Sequence, residues 1–237
     1  MNVLITSFVE ENRLHAQSND YLCDFTTVPQ IKIKFTPDFL QNRIKETPHL
    51  SLAECEYVWT GFGFAKKLLG FNGFVLHASA VCYDGKAYLF SAPSGTGKST
   101  HTSIWQRVFG EEAVIINDDK PALRLIDGKV YVFGTPWSGK SDKNKNIRVP
   151  LGGICFIHQS PSNAIRKADK QSAVNLLISQ IMRYPSQSYM ETLLDFIDKN
   201  LENIPVFKMG CNMEDEAAKV AYKYMSENLK GTDFYEN

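Results

Sequence analysis

The chain has 237 residues, 43% of them hydrophobic and 22% charged, and its 26 basic and 26 acidic side chains balance to a formal net charge of +0. This is the composition of a folded globular chain, and it offers no sequence-wide electrostatic case for binding nucleic acid or an acidic membrane surface. No apolar run approaches the roughly 20 residues that span a bilayer, and five scattered cysteines without a close pair argue against a zinc site or a redox dithiol.

The opening, MNVLITSFVE, carries no basic leader and reads as a first strand over 3–9. With an odd cysteine count, it sets the expectation of free thiols in a reducing cytoplasm. A second strand is expected over 31–35, where Ile31, Ile33 and Phe35 alternate with Lys32 and Lys34. Pro37 and Pro48 bracket a connector, and a helix is expected over 54–69 despite Gly61 and Gly63. Strands over 74–82 and 87–91 flank Asp84-Gly85 as a hairpin. A loop over 93–97 leads into a helix over 99–109 with Ile104, Trp105 and Val108 on one face. A fully apolar strand over 113–116 ends in Asn117-Asp118-Asp119, and a hairpin over 122–126 and 129–133 turns at Asp127-Gly128. The polar, glycine-bearing stretch 134–148 reads as a long functional loop, followed by a strand over 151–158. Mostly helical sequence runs from about 170 to 200, then a strand over 204–208 and a closing helix over 214–229. No repeat or low-complexity linker divides the chain. One α/β domain over 71–237 is expected, with residues 1–70 as an N-terminal elaboration packed on it. The many hairpins favour a mixed sheet over a purely parallel one.

Ala92-Pro-Ser-Gly-Thr-Gly-Lys98-Ser99 has the Walker A spacing, with alanine at the first glycine position. Gly95 and Gly97 let the backbone curl so that amides around Ser94, Thr96 and Thr100 point at phosphate oxygens. Lys98 is expected at the β- and γ-phosphates, and the Ser99 hydroxyl on Mg²⁺. The apolar strand before the loop and the amphipathic helix after it supply the context this motif needs, and the helix N-terminus adds its positive end. ATP and Mg²⁺ are the cofactors this pattern predicts.

Asp118 and Asp119 emerge where the buried strand over 113–116 ends, so one can serve the metal and the other an acceptor hydroxyl, because adjacent strand residues point to opposite sides. The alternative is a solvated turn before Pro121. Lys140, Lys143, Lys145 and Arg148 gather four cations in nine residues. With Gly134 and Gly139 beside them they suggest a mobile loop whose Lys140 and Arg148 grip phosphate or an acidic acceptor. No basic–aromatic interleaving supports nucleic-acid binding.

Three features in order, namely His77-Ala-Ser, the 92–100 loop and Asn117-Asp118-Asp119, resemble the catalytic domain of HPr kinase/phosphorylase and its smaller relatives found beside peptide-modification genes. The likeness spans roughly residues 70–160 and is weaker to about 226. It implies a mixed-sheet P-loop kinase domain of the HPr kinase/phosphoenolpyruvate carboxykinase type with C-terminal helices. It also implies that Asp118 is the base toward an acceptor serine, that His77 is hydrogen-bonded beside it, and that Asp119 sits on the metal side with Ser99. Thr100 stands where HPr kinases carry glutamate, no phosphorylase-linked C-terminal signature is present, and residues 1–70 do not resemble the regulatory domain. HPr itself is therefore a poor candidate substrate. The resemblance favours a serine or other hydroxyl on a peptide or small molecule, with a peptide-modifying enzyme as a partner. The competing reading is a nucleotide-binding accessory protein without catalysis, and a motor-like ATPase is the third.

Overall fold

Two tight turns set the frame. Asp84 and Gly85 have φ of 50° and 68°, and Asp127 and Gly128 have 49° and 77°. These left-handed pairs match the right-handed twist of the strands they join. They close the hairpins β4 (Ala78–Tyr83) with β5 (Lys86–Ser91), and β7 (Ala122–Ile126) with β8 (Lys129–Phe133).

The computed structural model describes residues 3–8, 13–24, 26, 28–184 and 186–228. The last residues of the strand expected over 3–9 and of the helix expected over 214–229 therefore lie outside the described residues. The expected strand over 74–82 is interrupted. β3 (Gly73–Val75) and β4 are successive halves of one bent stretch, because Leu76 bridges Ile181 and the His77 amide donates to the Gln180 carbonyl. This stretch runs antiparallel to a second bent pair, β6 (Val114–Asn117) and β7, with Gly73 facing Arg124 and Cys82 facing Val114. The long strand β9 (Arg148–Gln159) joins β8 to β5, so the order β3-β7-β8-β9-β5-β4-β6 curls back on itself. β9 also pairs in parallel with β11 (Val206–Cys211), whose other neighbour is the unanticipated strand β10 (Ala164–Lys167). The fold is α/β with a mixed, curled sheet: β5, β9 and β11 are mutually parallel and the remaining pairs of this sheet are antiparallel.

Helices cover both faces. On one, α5 (Lys170–Gln180) and α6 (Gln187–Asn200) bury Leu177, Leu193 and Ile197 against Leu89, Leu123 and Ile154. On the other, α4 (Lys98–Phe109) and α7 (Asp215–Glu227) bury Trp105 and Ala221 against Phe90, Ile157 and Phe207. The Trp105 indole is fully buried, and its replacement by alanine would cost about 3–5 kcal/mol.

The first 70 residues hold a small parallel sheet of β1 (Val3–Thr6) with β2 (Ile31–Lys34), and α1 (Arg13–Ser18), α2 (Pro37–Glu46) and α3 (Leu52–Leu68). α3 starts two residues before its expected position because Ser51 and Glu54 form a reciprocal capping box. Its glycines are explained by close packing: a Cβ on Gly61 would lie 3.2 Å from the Trp137 indole, and one on Gly63 would lie 3.1 Å from Ile33. Phe64 and Leu68 of α3 share a cluster with Val75, Ala122 and Trp137, which joins this region to the main sheet.

Candidate active site

β5 ends at Ser91, the loop over 92–97 turns, and α4 begins at Lys98. Gly95 has φ 80°, and Gly97, the N-cap of α4, has φ 113°, values that L side chains rarely adopt. The amides of the first helical turn have no intrahelical acceptor, and that turn carries no acidic residue to occupy them. Ser99 and Thr100 are exposed, and Ser94 lies on the open side of the loop. The Lys98 side chain folds back to donate to the carbonyls of Ala92 (3.0 Å) and Pro93 (3.3 Å). Its pKa is lowered first by burial, against the opposing pull of Asp119 and Asp118. The curl of the loop, the bare helix end and the exposed hydroxyl at Ser99 are the groups that could hold a nucleoside triphosphate with Mg²⁺, an ion that takes most of its ligands from phosphate and water. No cluster of three metal-ligating His, Cys, Asp or Glu side chains occurs among the described residues.

Beside the loop, the two carboxylates diverge. Asp118 is 8% exposed and accepts from Ser79 Oγ, 2.5 Å away. With its hydrogen given to Asp118, Ser79 accepts from Thr102 Oγ1 at 2.7 Å, which ties the carboxylate to α4 one turn past Lys98. Asp119 points the other way, to His77 Nε2 (3.3 Å) and Lys120 Nζ (2.9 Å). The expected contact of His77 with Asp118 is thus corrected. The pairing of β4 with β6 carries one extra residue on β6, Ile116, between Asn117 opposite Ala80 and Ile115 opposite Val81, and it is Ser79, not His77, that reaches Asp118. His77 Nδ1 lies 3.1 Å from the Gln180 side chain. Burial, then Lys120 and Lys98, pull the imidazole pKa down to about 4, so it is neutral at pH 7.

Asn117 organises both sides. Its side-chain oxygen accepts from the amides of Asp119 (2.9 Å) and Lys120 (2.6 Å), and its nitrogen donates to the Thr135 carbonyl. Ser79, Thr102, Asn117, Lys120 and Gln180 were not among the expected site residues. Only Ser79 and Asn117 had a signal, as members of the His77-Ala-Ser and Asn-Asp-Asp motifs.

The stretch 134–148 is anchored, not a free flap. Thr135, Trp137 and Ser138 are buried, and Trp137 stacks on Phe64 with ring centroids 5.0 Å apart. Gln17 of α1 donates to the Gly139 carbonyl and to Asp142, and the Gly139 amide donates to Tyr57 of α3. Gly139 in turn lies on Asp119, where an added Cβ would be 3.0 Å from the aspartate Cβ. The N-terminal helices therefore hold this loop against the acidic pair. Of the two cations expected at the phosphates, Arg148 is placed elsewhere. Arg148 opens β9 and stacks over Tyr131, whereas the 92–97 loop lies beside the far end of that strand, where Ser91 pairs with Phe156. Lys140 is exposed, and its field reaches Glu54 at the start of α3.

His101, in the second turn of α4, is 2% exposed, packs on Phe90 with ring centroids 4.2 Å apart, and has no hydrogen-bond partner at either ring nitrogen among the described residues. Burial alone pulls its pKa down to about 4. It borders a cleft of about 570 Å³ that runs from Gly95 and Thr100 past Ile104 and Ile157 to Asn212 and Met213.

No family model matches the chain, and no curated protein matches it by sequence. Among solved structures it is similar to the Hpr(Ser) kinase/phosphatase from Coxiella burnetii, at 10% identity and a TM-score of 0.38, over 67% of this chain and 98% of that one. The likeness is distant and partial. No helix among the described residues is long and apolar enough to cross a membrane.

Proposed function

We propose that the protein binds Mg·ATP on the 92–99 loop and transfers a phosphoryl group to a hydroxyl of a peptide or small molecule, on a domain of the HPr kinase/phosphoenolpyruvate carboxykinase type. One observation carries the reading: the loop with Lys98, the Ser79-bound Asp118 and the His77–Asp119 pair meet at the carboxyl end of β5 and β6. Bound Mg·ATP would supply the transferable group and the cation that neutralises its oxygens.

The protein's own residues divide the remaining tasks. The loop amides and Lys98 bind and orient phosphate, with Ser99 as the protein ligand to the metal. Asp118, tied through Ser79 and Thr102 to the first turns of α4, serves the metal side. Asp119 is the more accessible carboxylate and takes the proton of the acceptor hydroxyl, with neutral His77 holding it in place. These roles exchange the two aspartates relative to the family resemblance, because His77 contacts Asp119.

Incubation of the protein with Mg²⁺, γ-labelled ATP and cell extract should label a discrete acceptor, and Lys98→Ala should abolish the label. Nucleotide binding with no acceptor labelled in any fraction would favour an accessory role and contradict transfer.

A further inference from the structure

A second cleft, of about 520 Å³, opens on the α5 face of the sheet beyond the phosphate loop. Phe156 and Leu176 give it an apolar floor, and His158, Arg166 and Lys208 line it. Arg166 and Lys208 are directly opposite in the antiparallel pairing of β10 with β11. Like charges so placed destabilise a sheet. No carboxylate among the described residues forms an ion pair with either. The acid whose field Lys208 feels, Asp169, is engaged as the N-cap of α5 and accepts from the Ser172 amide. Protection of an exposed strand edge accounts for a cation at Arg166 on β10, but not for Lys208 on the inner strand β11. Gly210 leaves room for the third group, since a Cβ there would lie 3.1 Å from His158 Nε2.

The cleft is wired to the candidate active site. Its floor residue Phe156 pairs with Ser91, whose hydroxyl donates to the His77 carbonyl at 2.8 Å. α5 contributes Leu176 to the cleft and Gln180 to His77. The cleft also runs along β10, which pairs with no strand but β11 among the described residues, so an extended segment can lie beside it. We propose that this cleft is a docking site for the acidic side chains of a peptide, with Arg166 and Lys208 binding its carboxylates and His158 bordering them. That the peptide is the phosphoryl acceptor rests on the function proposed above; that the cleft binds acidic peptide does not.

The test is fluorescence anisotropy of the full chain with a labelled serine peptide flanked by glutamates, beside its glutamine counterpart. The glutamate peptide should bind and weaken with added salt. Arg166→Gln/Lys208→Gln should lose about tenfold or more in affinity, the worth of charge-assisted hydrogen bonds. Both sites are on the surface, so thermal unfolding of the double variant should be unchanged or raised, since a like-charge pair is removed. Lys98→Ala should bind the peptide as the parent does, which separates this cleft from the phosphate loop. Equal binding of the glutamine peptide, unchanged affinity in the double variant, or free citrate binding more tightly than the peptide would each overturn the proposal.

Discussion

Acid should loosen this protein through an imidazole whose ring nitrogens make no hydrogen bond among the described residues. His101 is buried without a partner and its pKa in the folded chain is about 4, whereas the unfolded chain carries it near the ordinary histidine value of about 6.5. Above pH 6.5 both states are neutral and the residue contributes no pH dependence. As pH falls from there toward 4 the unfolded chain takes up the proton first, so stability is lost. From the two pKa values the loss is about 2 kcal/mol by pH 5 and about 3 kcal/mol by pH 4. His101→Leu fills a similar volume on Phe90 and cannot titrate. It should remove this part of the acid slope while leaving stability at pH 7 equal or raised, since an unsatisfied buried polar group costs about 1–3 kcal/mol. Urea unfolding of both proteins at several pH values between 7 and 4 measures the difference. His77 shifts in the same direction, so a residual slope should remain in the variant. Parallel curves for parent and variant would refute the argument that a neutral, unpartnered imidazole sits in this core.

Three further outcomes are expected. Asp119→Asn should cut phosphoryl transfer by roughly 10²–10⁴ while Mg·ATP affinity stays within about threefold, and Asp118→Asn should weaken Mg²⁺-dependent binding itself; paired titration and single-turnover rates distinguish them. Gly139→Ala meets both a left-handed φ of 70° and the Asp119 side chain at 3.0 Å, so it should cost about 1–2 kcal/mol by urea unfolding and slow transfer more than it weakens nucleotide binding. Gln17→Leu strips the donors and acceptor that hold Gly139, Asp142 and Tyr57, and should lower stability by about 1–3 kcal/mol and speed proteolysis within 134–148.

The parts of this molecule that could be read from sequence are those set by short-range geometry. Asp84-Gly85 and Asp127-Gly128 demand left-handed turns whatever surrounds them, so the two hairpins were legible with their ends nearly in place. The strand–loop–helix order around residues 92–98 is local for the same reason. What escaped depends on distant partners. β10 is four residues with one buried side at most, and it exists because β11 offers it an edge. The break at His77 is imposed by Gln180, 103 positions away. The anchoring of 134–148 by Gln17 spans 122 positions, so a glycine-rich basic stretch read as a mobile loop is in fact tied to α1 and α3. Alternation correctly separated Asp118 from Asp119, but which β4 side chain each of them meets depends on distant pairing, in which Ile116 is an extra residue on β6 between Asn117, opposite Ala80, and Ile115, opposite Val81.

The central claim is that the 92–99 loop holds Mg·ATP, and calorimetric titration of the parent and Lys98→Ala with ATP in the presence of Mg²⁺ tests it most directly. The lysine ammonium rests on the loop carbonyls of Ala92 and Pro93, a position from which it can swing onto phosphate, and its removal leaves the strand and helix around it packed. The account predicts a single binding site in the parent and an affinity at least about tenfold weaker in the variant, with the unfolding midpoint unchanged. Equal affinity in the two proteins, or no binding by the parent, would contradict it.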